Sequence, residues 1–109
     1  MIRRTKRTKR ERRGGGYTEA DFQNDVLALA QLYGWLWFHD ADSRGSPPGF
    51  PDLVLVKSPR VVFAELKTRR GKLRRKQQEW LAALMGCDGV ETYLWRPDDW
   101  REVVRTLGR

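Results

Sequence analysis

Two short apolar runs, Pro51–Val56 and Val61–Lys67, stand either side of Lys57-Ser-Pro-Arg60. Their β-branched and aromatic content and the proline-bearing break between them read as an antiparallel hairpin. Proline suits the turn because its φ is fixed there and it has no N–H to withhold from the ladder. A hairpin centred between Ser58 and Pro59 pairs residues whose numbers sum to 117. Val56 then faces Val61, Val54 faces Phe63, and Asp52 faces Glu65. Directly opposed residues have Cβ atoms roughly 4.5–5.5 Å apart. Period-two alternation sends Lys67 out of the same face as Glu65. Two carboxylates and an ammonium therefore converge at one end of an otherwise apolar hairpin.

Carboxylates that close repel one another, and a sheet flanked by helices offers them little water. A cation between them relieves this, and a divalent ion with oxygen ligands does it well; Mg²⁺ typically takes one or two carboxylates and keeps several waters. With one cysteine, Cys87, and one histidine, His39, a thiolate or imidazole zinc site is excluded. Taken singly, an Asp after Pro is a turn cap and a Glu-x-Lys is an exposed ion pair. On strands otherwise built of Leu, Val, Phe and Ala, charges do not sit without a partner.

The flanking segments read as helices. Thr18 caps a helix with Asp21 at its N3 position, and Tyr17 and Phe22 occupy the positions of a hydrophobic staple. The stripe Phe22, Val26, Leu29, Ala30, Tyr33 follows, and Gly34 ends it. Glu19 and Gln23 border that stripe, so the Glu19 carboxylate points toward the protein at the helix start. Trp35–His39 reads as a strand covered on both faces, followed by a polar Gly/Pro-rich loop to Gly49. Gly71–Met85 reads as a second helix with Leu73, Trp80, Leu81 and Leu84 on one stripe and Gln77 among them. Val90–Trp95 is a last strand, and Asp98–Leu107 a terminal helix carrying Trp100, Val103, Val104 and Leu107. The order is helix, three strands, helix, strand, helix, an α/β chain in one domain over residues 17–109.

The net charge of +8 is unevenly spread. Residues 1–16 hold Arg3, Arg4, Lys6, Arg7, Lys9, Arg10, Arg12 and Arg13 against Glu11, a net +7, leaving +1 for the remainder. Such a segment cannot bury enough surface to offset its ordering entropy, so it reads as a disordered basic tail that contacts nucleic acid. A second basic strip lies inside the domain: Lys67, Arg69, Arg70, Lys72, Arg74, Arg75 and Lys76 are seven cations in ten residues. Cations at a helix start oppose the helix dipole, which a phosphate partner would explain. Backbone contacts of this kind carry no base code. No run of about 18 apolar residues occurs, so no membrane span is expected, and no apolar stretch follows the basic N-terminus, so no secretory signal is expected.

Gly49-Phe-Pro-Asp52-Leu-Val-Leu, Phe63-Ala-Glu65-Leu-Lys67 and Leu73-x-x-x-Gln77-x-x-Trp80-Leu, in that order after a helix bearing Glu19, resemble the VRR-NUC (virus-type replication-repair nuclease) family of the PD-(D/E)XK nuclease superfamily. The resemblance covers about residues 17–107. It implies a restriction-endonuclease-like αβββαβ(α) core, a mixed four-stranded sheet flanked by helices. It implies that Asp52 and Glu65 bind Mg²⁺ or Mn²⁺ with the Leu66 carbonyl as a further ligand. Lys67 would orient or activate the attacking water, Glu19 assist at the metal, and Gln77 support the site. Ser43-Arg44 resembles the phage members, where such an Arg meets phosphate. Where the family often shows Ser-Pro-acidic, this chain has Arg74-Arg75-Lys76, which leaves the metal ligands untouched and strengthens backbone contact.

The expected activity is therefore that of a Mg²⁺-dependent, structure-selective endonuclease for branched, junction or flapped DNA in replication and repair. The resemblance further implies a homodimer acting in a bacterial or phage-infected cytoplasm. His39 is expected to be structural or substrate-facing. The competing reading is a non-catalytic nucleic-acid-binding protein on a nuclease-like fold. A restriction-type enzyme is a weaker third, because the domain leaves little room for base-reading elements.

Overall fold

The computed structural model describes residues 16–39, 45 and 47–109. The tail cations Arg3 to Arg13 and the Ser43-Arg44 pair lie outside the described residues. Helix α1 (Glu19–Leu32) begins with a full capping box: Thr18 Oγ1 accepts the Asp21 N–H at 3.0 Å, and Asp21 Oδ2 accepts the Thr18 N–H at 3.0 Å. The Tyr17 ring centroid lies 6.4 Å from that of Phe22, closing the staple. Strands β1 (Leu36–His39), β2 (Leu53–Lys57) and β3 (Arg60–Leu66) follow, then helix α2 (Arg75–Met85), strand β4 (Glu91–Trp95), a 3₁₀ turn at Pro97–Asp99 and helix α3 (Trp100–Gly108).

The sheet order is β1-β2-β3-β4, with β1, β2 and β3 antiparallel and β4 parallel to β3. The β2–β3 register pairs Val56 with Val61, Val54 with Phe63 and Leu53 with Ala64, the pairing expected from the turn. A parallel β3–β4 pair needs a crossover, which α2 provides.

One face of the sheet carries the core. Leu53, Leu55, Val62, Ala64 and Leu66 are fully buried there against Phe22, Val26, Leu29 and Ala30 of α1 and Val103 and Leu107 of α3. Burial of each large apolar side chain contributes about 1.5–3 kcal/mol relative to exposure. Trp35 enters the same core and its indole N–H donates to the Leu107 carbonyl at 2.8 Å, tying the approach to β1 to the last helix. On the opposite face, Phe50 meets Trp80 of α2 edge-on at 5.0 Å and Phe63 of β3 at 6.3 Å. The helix is thereby seated over the end of the hairpin where Asp52 and Glu65 lie. No helix among the described residues is long and apolar enough to cross a membrane.

Three expectations change. The first strand is not covered on both faces: Leu36, Trp37 and Phe38 are 74%, 43% and 57% exposed. It is the sheet's edge, and α2 reaches only the β3–β4 side. The second helix starts at Arg75 rather than Gly71, because residues 68–71 form a turn held by Arg96, whose Nη1 donates to the carbonyls of Thr68 at 2.7 Å and Gly71 at 2.6 Å. The terminal helix is preceded by the Pro97–Asp99 turn, where Asp99 Oδ2 accepts the Arg96 N–H at 2.9 Å.

Candidate active site

Asp52 sits one residue before β2 and Glu65 one before the end of β3, and backbone donors knit them together. The Asp52 N–H donates to Glu65 Oε1 at 3.1 Å, and the Leu66 N–H donates to Asp52 Oδ2 at 2.9 Å. From the α2 side, Gln77 Nε2 donates to Glu65 Oε2 at 2.7 Å. Lys67 Nζ lies 3.8 Å from the same oxygen, its side chain 12% exposed. Glu65 is only 2% exposed, an unusual position for a carboxylate.

Electrostatics follow from that burial. Desolvation, then the negative charge of Asp52, pushes the Glu65 carboxyl up to about 8, with Lys67 only partly opposing. Asp52 is also raised by burial, against the Leu66 N–H, Glu65, Lys67 and His39, which all favour its ionised form. Glu19, in the first turn of α1, is raised by burial and by Asp52, and lowered by Lys67. The helix thus brings a third carboxylate within electrostatic reach of Asp52 and Lys67.

A divalent cation relieves this repulsion as a proton would. The donor set fits such an ion: all oxygen, two carboxylates beside the Leu66 peptide, with Gln77 and backbone N–H groups fixing their orientation. Among the described residues no three His, Cys, Asp or Glu side chains close on one point, so water would complete the shell.

Beside the carboxylates runs a groove of about 630 Å³ lined by Pro47–Asp52 on one wall and Arg74–Gln77 on the other. Gly49 permits that closeness. Its φ is +84°, and a Cβ there would lie 2.4 Å from the Lys76 carbonyl carbon and 2.7 Å from the Gln77 nitrogen. The basic strip divides. Arg74, Arg75 and Lys76 line the groove, the last two sharing Glu79 at 3.6 and 3.3 Å. Arg69 instead forms a forked pair with Asp98, at 2.9 and 3.2 Å. Arg70 and Lys72 are exposed. Exposed pairs of this kind contribute little.

The sequence pattern marks no role for Gln23 and little for His39. Gln23 Nε2 lies 3.2 Å from His39 Nδ1 on the α1 side of the site. The available signal was spacing: Gln23 is one turn beyond Glu19 on the same helix face.

A mixed sheet in αβββαβ order, with an acidic residue before one strand of a hairpin and Glu-x-Lys on the other, defines a nuclease core of the PD-(D/E)XK class. The model of the VRR-NUC domain matches residues 17–96, and the chain belongs to the VRR-NUC family. Among solved structures it is similar to Hjc of Archaeoglobus fulgidus, a Holliday junction resolvase from an archaeal hyperthermophile. The TM-score is 0.51 at 26% identity, over 70% of this chain and 66% of that one. The chain thus spans just under two thirds of the resolvase. No curated protein matches it.

Proposed function

We propose that this chain is a metal-dependent endonuclease that hydrolyses phosphodiester bonds in branched DNA, four-way junctions above all, by structure rather than sequence. One observation carries the reading: Asp52, paired with the buried Glu65, lines a groove walled by three cations. Asp52, Glu65 and the Leu66 carbonyl would hold Mg²⁺ or Mn²⁺. A divalent ion there supplies water acidification and neutralises phosphate charge. Lys67 stabilises charge developing on the phosphate, and Glu19 shapes the site from α1. Gln77 keeps Glu65 oriented. Arg74, Arg75 and Lys76 contact the DNA backbone, with Arg70, Lys72, Arg69 released from Asp98, Arg44 and the tail adding affinity. The similarity to a junction resolvase supports the substrate class.

A homodimer would suit two symmetric cuts. The exposed apolar edge of β1, with Leu36 and Phe38 in solvent, supports a second copy as its partner. Light scattering of wild type and Phe38→Glu checks this.

The activity is tested by incubating wild type and Asp52→Ala with junction, flap and single-stranded DNA and Mg²⁺. Wild type should cut the junction and the variant should lose at least ~100-fold in rate. Equal cutting by the variant would sink the assignment, and binding without cutting by wild type would favour a non-catalytic nucleic-acid-binding protein.

A further inference from the structure

The α1 side of the site holds a pair outside the nuclease motif. Gln23 follows Glu19 by one helical turn, and its Nε2 meets His39 Nδ1 at 3.2 Å. With Gln23 Nε2 as the donor in this contact, Nδ1 accepts and the ring proton is carried on Nε2. The imidazole also stacks on Trp37, with centroids 5.8 Å apart and planes 23° from parallel. A ring held at its edge and on its face presents one N–H donor, turned away from Gln23. His39 ends β1 opposite Leu53, the residue next to Asp52.

The distribution of donors gives this pair its use. Arg74, Arg75 and Lys76 all stand on the α2 wall of the groove. A phosphodiester crossing Asp52 toward α1 meets Glu19, another carboxylate. A guanidinium on that side would pair with the carboxylates and compete with a cation for them, whereas an imidazole N–H is a weaker competitor and still a directional donor.

We propose that His39 Nε2–H donates to the DNA phosphate at the Asp52–Glu65 pair, and that Gln23 is the positioning residue that fixes the ring tautomer. This rests on the nuclease reading and adds a substrate contact to it. The test measures single-turnover cleavage of a four-way junction in Mg²⁺, and junction affinity in Ca²⁺, for wild type, His39→Phe and His39→Gln. Phenylalanine keeps the stacking ring without the donor, while glutamine places an amide N–H near the Nε2 position. The expected result is cleavage slower by at least about tenfold for His39→Phe with little change in affinity, and substantial recovery for His39→Gln. Equal rates for wild type and His39→Phe, or equal losses in both variants, overturn the proposal. Long-range ¹H–¹⁵N spectra of the wild-type ring give an independent decision should a variant misfold. The proton should be on Nε2, and its resonance should move when junction DNA is added in Ca²⁺. A proton on Nδ1, or a resonance unmoved by DNA, overturns it. Failure of wild type to cut would instead refute the nuclease reading, and the ring spectra would still decide the phosphate contact.

Discussion

Gln77 joins Glu65 to the start of helix α2: its Nε2 donates to Glu65 Oε2 at 2.7 Å while its Oε1 accepts the Arg74 N–H at 2.8 Å. One side chain thereby couples the orientation of a buried carboxylate to the point where the groove's basic wall begins. One amide thus joins Glu65 to the helix start from which the groove-lining cations project.

Replacing Gln77 by Leu should remove both bonds with little change in volume. Cleavage and Mg²⁺ affinity should fall about 10–100-fold, as for loss of groups that orient metal ligands. Gln77→Glu should be worse, since it sets another carboxylate against Glu65. Rates measured across a Mg²⁺ titration check this, and an unchanged Mg²⁺ midpoint for Gln77→Leu would refute it.

The raised Glu65 carboxyl should make the metal-free protein pH-sensitive. This carboxyl titrates at about 8 in the fold against an ordinary 4.5, so over that interval the folded state retains a proton that the unfolded chain has released. Stability from this group is full below about pH 4.5 and is lost as pH rises through about 8. Mg²⁺ should therefore raise the melting temperature more at pH 8 than at pH 6, and Glu65→Gln should flatten both dependences. Melting curves with and without Mg²⁺ at the two pH values make the comparison.

Gly49 and Gly34 both have positive φ, +84° and +85°, but only Gly49 lies against another segment. Gly49→Ala should cost about 1–3 kcal/mol and slow cleavage, because a Cβ would push loop 47–51 off the Lys76–Gln77 peptide. Gly34→Ala should carry only the cost of its backbone conformation and leave cleavage intact. Urea unfolding and junction cleavage of the two variants separate the effects.

Deleting residues 1–16 should weaken junction binding and flatten its salt dependence, by up to ~0.9 in log–log slope for each phosphate the tail would have neutralised. Cleavage at saturating DNA should persist. Affinity measured across a salt series, followed by single-turnover rates, tests this; loss of turnover at saturation would place catalytic groups in the tail.

Much of this architecture is local and so was legible in the chain. The capping box at Thr18 needs only Asp21 three residues on, and the hairpin register follows from a short turn and strict alternation. The placement of Glu65 beside Asp52 is a consequence of that arithmetic, and Gln77 could be picked out because it interrupts an apolar stripe. What the sequence could not supply are contacts between segments far apart in the chain. Arg96 pinning residues 68–71 delays α2 to Arg75, and Asp98 captures Arg69 from across a loop. The exposure of β1 depends on where α2 lands. Alternating strands specify which residues face one another, because backbone geometry propagates along a ladder. Which carboxyl is buried enough to rise to about 8, which glycine must stay a glycine, and which side chain holds His39 were decided only when α1 and α3 closed over one face of the sheet and α2 over the other.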